Sequence, residues 1–324
     1  MTEDPDPSEF KELLKTRLFT TITAQIEQIA LAPVDLYHYI GHQDPELLKL
    51  PDFDPTAMAA TNEQPVNQRL NAVYDTLIDA PTIAGFKLNE DSDYWNIGYW
   101  DDTTTSIQAA CENLQDKLLD LMADRTGTIL DVACGIGAST RRLLNRYAPE
   151  DVWAINISEK QIEKTKQNAE GCNAQVMDAT ELKFEGEFFD NILCIEAAFH
   201  FDTRRDFLKE AYRVLKPGGT LALSDLLTSS EERLDRESML SSAANYIRDG
   251  EEYEELLKEV GFRNVVVRDE TASTSRARTL YMLNRLHGAF LDGNLGLVEL
   301  TDMVWYYYHF NAMFRTCLFA GGQK

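Results

Sequence analysis

The sequence predicts an α/β protein with a doubly wound, mostly parallel sheet of seven strands. From residue 128 onward, short apolar runs alternate with stretches of helical periodicity, which is the pattern of parallel strands joined by crossover helices. The run Thr128–Thr140, TILDVACGIGAST, joins an apolar strand to a helix through a turn of small residues. Such a turn lies at the carboxyl end of its strand, where open α/β sheets bind their ligands.

The composition limits the range of partners. The 324-residue chain has 54 acidic and 31 basic residues and a formal charge of −23, which repels nucleic acids and anionic membranes. No apolar run is long enough to span a bilayer, and the N-terminus lacks a signal-peptide pattern. Five scattered cysteines without a C-x-x-C pair favour reduced thiols. We therefore expect a cytoplasmic protein that binds neither nucleic acid nor membrane.

Residues 1–90 are predicted to form a helical N-terminal extension that caps the rest of the chain. Apolar residues recur at helical spacing from Phe10 to Ile29, and Gln68–Ile78 is a shorter helix. His38 and His42 have i, i+4 spacing but no third ligand, so no metal site is predicted. The extension could cover the functional site or mediate homodimerisation.

The other elements belong to one predicted domain, residues 91–324. Strands are predicted at residues 128–133, 152–157, 173–178, 189–195, 219–226, 263–270 and 315–321. The helices between them are predicted at residues 138–147, 159–170, 203–215 and 251–261. Two segments that follow strand ends, about 228–250 and the helical insert 273–313, are predicted to be lids over the ligand crevice.

The turn after the first of these strands indicates the cofactor. Gly135 and Gly137 lack a Cβ, so the backbone can turn sharply and approach a ligand closely. A dinucleotide fingerprint would have a third glycine where Thr140 stands, and Asp131 before the turn favours a cation over a pyrophosphate. S-adenosylmethionine carries a sulfonium and an ammonium and no phosphate. It therefore suits Asp131 better than a nicotinamide dinucleotide does.

Side chains at the ends of the next two strands could hold the nucleoside. Asn156 can donate and accept hydrogen bonds with ribose hydroxyls, and Ile157 can pack on the adenine face. Met177 can cover the same ring, and Asp178 can accept the exocyclic amine of adenine. An Asx residue at such a position is also a common turn or helix cap, so both roles stay open for Asp178.

The fourth and fifth strands supply the candidate catalytic residues. His200 follows the fourth strand, where an imidazole can act as a general base near neutral pH. Asp225 ends the fifth strand and could orient His200 or receive the proton itself. The aromatic cluster in Asp91–Asp102 could be a hydrophobic plug, or a clamp whose rings attract a sulfonium.

Five motifs resemble, in order, those of class I S-adenosylmethionine-dependent methyltransferases: DVACGIGAST, AINISEKQI, MDATELKF, FDNILCIEAAFHF and EAYRVLKPGGTLALSD. I-N-I-S-x-x-Q and E-A-A-x-H-F are similar to O-methyltransferases that act on sugars and polyketides. The resemblance implies a Rossmann-like fold, S-adenosylmethionine as cofactor and O-methylation of a small-molecule secondary metabolite. It places these residues at the cofactor: Tyr99, Trp100, Asp131, Ala133, Gly135, Gly137, Asn156, Ile157, Gln161, Met177, Asp178, Ala179 and Glu196.

Three positions depart from the family pattern and leave alternatives open. Ala133 stands where the family usually has glycine, and Asn156 where it usually has an acid. Some relatives have two adjacent histidines where this chain has Phe199 and His200. N- or C-methylation of an amine, isoprenoid or polyketide is one alternative. A catalytically silent subunit that binds the cofactor and a partner is another.

Overall fold

The computed structural model describes residues 66–79, 82–83, 86–87, 89–90, 92–229 and 243–324. Most of the predicted N-terminal cap, including His38 and His42, lies outside these residues, and so do residues 230–242 of the first predicted lid. The chain divides into two compact units. One contains Asp54–Ser275 and Met313–Lys324, and the other contains Met1–Phe53 and Arg276–Ala312.

The first unit is built on a seven-stranded sheet, which confirms the predicted fold class. Its strands are β1 (Ile129–Val132), β2 (Val152–Asn156), β3 (Asn173–Val176), β4 (Phe189–Ile195), β5 (Leu215–Thr228), β6 (Arg263–Asp269) and β7 (Phe314–Gln323). The order across the sheet is β3-β2-β1-β4-β5-β7-β6. All neighbouring strands are parallel except that β7 runs antiparallel to both β5 and β6.

Helices flank the sheet and precede it. They are α1 (Val66–Asp79), α2 (Ile107–Leu119), α3 (Ala138–Leu143), α4 (Glu159–Asn168), α5 (Arg204–Val214) and α6 (Gly250–Val260). A small antiparallel ribbon of Thr82–Ile83 and Phe86–Lys87 follows α1. Four of the helices begin at a polar side chain that accepts a hydrogen bond from the backbone N–H three residues on, which stabilises the first turn. These N-cap residues are Ser106, Ser158, Thr203 and Asp249.

Burial on both faces explains why the sequence reads as continuous apolar runs. All four residues of β1 are buried, and α5 packs Phe207, Leu208 and Ala211 into the largest core cluster of the sheet. Parallel sheets covered by helices on both sides have this composition. The chain extends from β1 to one side as β2 and β3, then crosses to the other side as β4. This reversal leaves a crevice at the carboxyl ends of β1 and β4, where such folds bind ligands.

Several strand boundaries differ from the prediction by one to four residues, and two of these differences have evident local reasons. β5 begins at Leu215, four residues early, because Leu215 already pairs with Phe189 before a bulge brings Thr220 opposite Asn191. β3 ends at Val176 rather than at residue 178. Here the Asp178 carboxylate accepts hydrogen bonds from the Thr180 N–H and hydroxyl, which turns the chain out of the strand.

The second unit contains the described part of the insert before the last strand, and this part is helical as predicted. Helices α7 (Ala277–Leu291) and α8 (Leu297–Met313) are joined by a hydrogen bond of 2.7 Å from Asn311 Nδ2 to Thr279 Oγ1. The predicted role of this insert as a lid stays a prediction. Among the helices of the described ranges, none has the length and apolar content needed to cross a lipid bilayer.

Candidate active site

A cavity lies at the carboxyl ends of β1, β2 and β4 and encloses about 1180 Å³ of empty space, counted to its open mouth. It brings together eleven of the predicted site residues, from segments up to seventy residues apart. These are Asp131, Ala133, Gly135, Asn156, Ile157, Gln161, Met177, Asp178, Ala179, Glu196 and His200. Tyr99, Trp100, Gly137 and Asp225 are not among the residues that line it.

The two glycines in the turn between β1 and α3 have different surroundings. Ala133, Gly135 and Gly137 all have positive φ, of 57°, 57° and 87°. A Cβ at Gly135 would meet nothing within 4 Å, so this backbone is open toward the cavity. A Cβ at Gly137 would lie 2.8 Å from Thr165 Cα, so Gly137 permits close packing of α3 on α4. Gly137 therefore has a packing role, and its predicted contact with the cofactor stays a prediction.

Asp131 is buried at the base of the cavity and is held by two hydroxyls. The Ser139 and Thr140 hydroxyls each donate a hydrogen bond of 2.7 Å to Asp131 Oδ2. Burial raises the pKa of Asp131 to about 6, and the two hydrogen bonds only partly oppose this rise. A cationic ligand group beside Asp131 would favour the ionised carboxylate and would restore part of the lost solvation.

The polar residues after β2 and β3 form ordered acceptor and donor groups. Asn156 Nδ2 donates to Gln161 Oε1 at 3.0 Å, and Asn156 Oδ1 accepts from the Ser158 N–H at 3.0 Å. Asp178 uses Oδ1 to cap its own turn through Thr180. Asp178 is thus both a turn cap and a cavity residue. Its role as a cap is therefore compatible with its predicted role as an acceptor for the adenine amine.

The aromatic cluster in Asp91–Asp102, which was predicted to be either a plug or a clamp, contributes two rings to the cavity wall. Tyr94 and Trp95 line the cavity. Tyr99 packs against Phe319, with ring centroids 6.0 Å apart, and Trp100 is buried with its Nε1 donating to the Ile97 carbonyl at 2.9 Å. Neither ring is among the residues that line the cavity, so the predicted placement of Tyr99 and Trp100 at the cofactor stays a prediction.

His200 lies in the cavity wall and contacts a residue from the N-terminal segment. It ends a short 3-10 turn, Ala198–His200, directly after β4 and is 7% exposed. Its Nε2 is 2.9 Å from the Tyr74 hydroxyl, and the two rings meet edge to face with centroids 5.7 Å apart. A tyrosine hydroxyl can donate or accept, so this contact orients the imidazole without fixing its tautomer.

Asp225 does not occupy the predicted position beside His200. It is fully buried, and its Oδ2 accepts from Arg204 Nε at 2.6 Å. Arg204 also donates to the Asn245 carbonyl, and Asn245 Nδ2 in turn donates to the carbonyls of Ala198 at 3.2 Å and Phe199 at 3.3 Å. Asp225 therefore reaches the turn that carries His200 through Arg204 and Asn245. Asp225 is thus an anchor of that turn in this structure, and its predicted role in proton transfer stays a prediction.

Comparison with known proteins identifies the family. The Methyltransferase domain family matches residues 130–223. O-methyltransferase resE from Aspergillus sclerotiorum is 31% identical over 215 residues, which are 62% of this chain and 78% of that protein. The chain is an S-adenosylmethionine-dependent methyltransferase. Erythromycin 3''-O-methyltransferase from Saccharopolyspora erythraea is 32% identical, over 41% of this methyltransferase and 46% of its own length.

A solved structure shares the fold of the methyltransferase. Geranyl diphosphate C-methyltransferase from Streptomyces coelicolor, in complex with S-adenosyl-L-homocysteine, matches with a TM-score of 0.57 and 12% identity. The match covers 81% of this methyltransferase and 98% of that chain. At this identity the likeness shows the fold alone.

The cofactor of this methyltransferase is S-adenosylmethionine, and the cavity residues fit it. Asp131 would place its carboxylate beside the ammonium group, and the open face of Gly135 would allow the backbone to approach the ligand. Asn156 and Gln161 would supply an amide pair in place of the acid that usually bonds the ribose. Ile157 and Met177 would supply apolar surface for the adenine ring.

We expect Asp131→Asn to weaken cofactor binding and to stabilise the free methyltransferase. The pKa of this carboxyl is higher in the folded state than in the unfolded state. Ionisation therefore destabilises the fold, by an amount that grows between pH 4 and pH 6 and reaches its full value above pH 6. Relief of this penalty is worth up to about 3 kcal/mol at pH 7. Loss of the charge should weaken binding of S-adenosylmethionine by about 10–100-fold.

Two measurements check the Asp131 prediction. Urea denaturation should show the stability gain at pH 7 and almost none at pH 3, where the wild-type carboxyl is mostly protonated in both the folded and the unfolded state. Calorimetric titration should show that wild-type affinity falls as the pH drops through 6, whereas the affinity of the variant stays level. A variant that binds as tightly as the wild type at pH 7.5 would remove Asp131 from the cofactor site.

Ala133→Gly is expected to stabilise the methyltransferase by about 0.5–1 kcal/mol. Ala133 has a left-handed φ of 57°, which strains any residue with a Cβ, and relief of this strain outweighs the greater freedom of glycine in the unfolded chain. Urea denaturation measures the change. Ala148 is the matched control, because its φ of −65° is relaxed and Ala148→Gly should lower stability instead.

Helix α1 supplies the site residues that the sequence analysis missed. It belongs to the same compact unit as the sheet, although the prediction placed it in a separate cap. Asn67, Asn71 and Tyr74 recur at i, i+4 and i+7, so one face of the helix lines the cavity. The only signal in the sequence was this polar spacing within an otherwise ordinary amphipathic helix.

Proposed function

We propose that this methyltransferase transfers a methyl group to a hydroxyl of a small secondary metabolite, with His200 as the general base. The observation that carries the proposal is the placement of His200 in the cofactor cavity, 2.9 Å from the Tyr74 hydroxyl. The curated relatives support it, because resE and the erythromycin enzyme are both named as O-methyltransferases.

Different cavity residues bind the cofactor, accept the proton and position the base. S-adenosylmethionine supplies a methyl group that is already activated on a sulfonium. Asp131 and the Gly135 turn hold the amino-acid end of the cofactor, and correct placement of the two reactants alone can lower the barrier by about 7–11 kcal/mol. His200 accepts the proton that the acceptor hydroxyl loses when its oxygen bonds to the methyl carbon. Tyr74 positions the imidazole ring for this transfer.

N-methylation is the second candidate, and Tyr74 and Trp95 favour it to a limited degree. Their rings lie edge to face at 6.5 Å in the cavity, and aromatic rings can bind a cationic amine. An amine acceptor that enters in its neutral form needs no base to lose a proton before attack. Turnover should therefore depend on His200 if the acceptor is a hydroxyl, and should not depend on it if the acceptor is a neutral amine.

Transfer of a labelled methyl group tests the proposal. The enzyme should be incubated with methyl-labelled S-adenosylmethionine and matched acceptors that carry either a hydroxyl or an amine at the same carbon. The products should be resolved by mass spectrometry and NMR, which locate the methyl group on oxygen, nitrogen or carbon. Label on oxygen supports the proposal, whereas label on nitrogen or carbon contradicts it. Tight cofactor binding without transfer to any acceptor would favour the silent partner subunit.

Further features remain proposals. We propose that the 273–313 insert and the segment around 228–250 close over the acceptor, and that the enzyme acts in the cytoplasm on small molecules without binding nucleic acid. Homodimerisation through the N-terminal extension is also proposed. Light scattering of the full chain and of a variant that begins at residue 54 would test the last point.

A further inference from the structure

Helix α1 presents two asparagines to the wall predicted to hold adenine. Asn67 Nδ2 donates a hydrogen bond of 2.7 Å to Asp178 Oδ2, and Asn71 Nδ2 donates one of 3.2 Å to the Ile157 carbonyl. Asp178 and Ile157 are the residues that the sequence analysis assigned to the amine and the face of adenine. The two asparagines are one helical turn apart, so they lie side by side on the same face.

Asp178 is held as a fixed acceptor. Its Oδ1 receives the Thr180 N–H at 2.8 Å and the Thr180 hydroxyl at 2.7 Å, while its Oδ2 receives Asn67. A carboxylate oxygen can accept two hydrogen bonds, so Oδ2 retains one acceptor position. Asn67 thereby prevents the carboxylate from rotating and keeps that position in the cavity wall.

Asn71 supplies a second acceptor. Its Oδ1 is buried and has no hydrogen-bond partner among the described residues. The amide cannot simply be turned round, because the Ile157 carbonyl only accepts hydrogen bonds and must face the Nδ2 group. Asn71 lines the cavity, and its carbonyl oxygen can therefore accept a hydrogen bond from a ligand. A purine amine has two hydrogens and matches a pair of acceptors on one wall.

We propose that Asn71 Oδ1 and Asp178 Oδ2 each accept one hydrogen of the exocyclic amine of the cofactor's adenine, with Asn67 as the positioning residue for Asp178. Asn67, which holds Asp178, and Asn71 are one helical turn apart on the same face, so both acceptors belong to the same part of the cavity wall. The inference rests on the cofactor and is independent of the acceptor substrate. Helix α1 would then recognise the adenine ring through its asparagines, in addition to contacting His200 through Tyr74.

Binding calorimetry without an acceptor substrate tests this proposal. The probes are S-adenosylhomocysteine and S-inosylhomocysteine, in which an oxygen replaces the purine amine. Wild type should bind the adenosyl compound more tightly, because the 6-oxygen of the inosyl compound cannot donate a hydrogen bond to either acceptor. Asn71→Ala should weaken adenosyl binding about tenfold and change inosyl binding little, so the ratio of the two affinities falls about tenfold. Asn67→Ala should lower the same ratio by a smaller factor.

Gln68→Ala is the matched control, because Gln68 lies on the exposed face of the same helix. It should leave both affinities unchanged. Thermal melting of each variant without ligand checks that α1 still folds onto the sheet. Equal weakening of both probes by Asn71→Ala, or no weakening of either, would overturn the proposal. Equal affinity of wild type for the two probes would overturn it without any variant.

Discussion

Replacing His200 with alanine is expected to lower kcat for methyl transfer to a hydroxyl by about 10²–10⁴-fold. The hydroxyl proton must leave as its oxygen attacks the methyl group, and a positioned general base contributes a factor of this size. The affinity for S-adenosylmethionine should remain within about twofold, because the imidazole is assigned to the acceptor side of the cavity. Single-turnover kinetics with labelled cofactor and calorimetric titration measure the two quantities separately.

Two further experiments, one with added imidazole and one with a Tyr74 variant, distinguish proton transfer from a structural role of His200. Added imidazole should restore part of the rate of His200→Ala, since the small base can enter the space left by the side chain. Tyr74→Phe keeps the aromatic ring that packs on His200 but removes the hydroxyl 2.9 Å from Nε2. It should lower kcat by about tenfold and leave cofactor affinity unchanged.

Full turnover by His200→Ala with an intact cofactor site would contradict the assignment of the base. Such a result would favour an amine acceptor, which needs less help in losing a proton. Turnover that is lost together with cofactor binding would instead show that His200 supports the cavity itself. The thermal stability of the variant decides whether that support is local or global.

The sheet could be predicted from the sequence because each strand is specified by its own residues. The β1 run from Ile129 to Val132 is largely apolar because both faces are buried, and the turn after it has positive φ at three alternate small residues, Ala133, Gly135 and Gly137. The cavity residues that follow β2, β3 and β4 were found for the same reason. In a parallel sheet, strand ends converge regardless of the details of the connecting loops.

The parts of the site that the sequence could not specify share a different physical cause. Tyr94 and Trp95 line the cavity while Tyr99 and Trp100 pack inward, yet the loop that carries them has no periodicity from which direction could be read. Tyr74 reaches His200 across 126 positions of sequence, and only the docking of α1 brings them together. Long-range contacts of this kind depend on packing between elements, which a local pattern does not encode.

Replacing Arg204 with methionine is expected to lower the free energy of unfolding by about 3–5 kcal/mol. Arg204 is 3% exposed and Asp225 is 0% exposed, so the substitution leaves an unpaired carboxylate in the core. Arg204 also loses its bonds to the Leu226 and Asn245 carbonyls. Urea denaturation measures the change. Arg205→Met is the control, because Arg205 pairs with Glu259 on the surface and should change stability by less than about 1 kcal/mol.

The double variant Arg204→Met/Asp225→Leu should recover at least half of that loss. Removal of both charges eliminates the uncompensated carboxylate, and apolar replacements of buried ion pairs are often neutral or stabilising. Asn245 would still lack its contact with the arginine side chain, and Asn245 holds the backbone just before His200. The recovered variant should therefore bind cofactor normally but turn over more slowly than wild type. Wild-type turnover would mean that the buried pair stabilises the sheet without positioning the base.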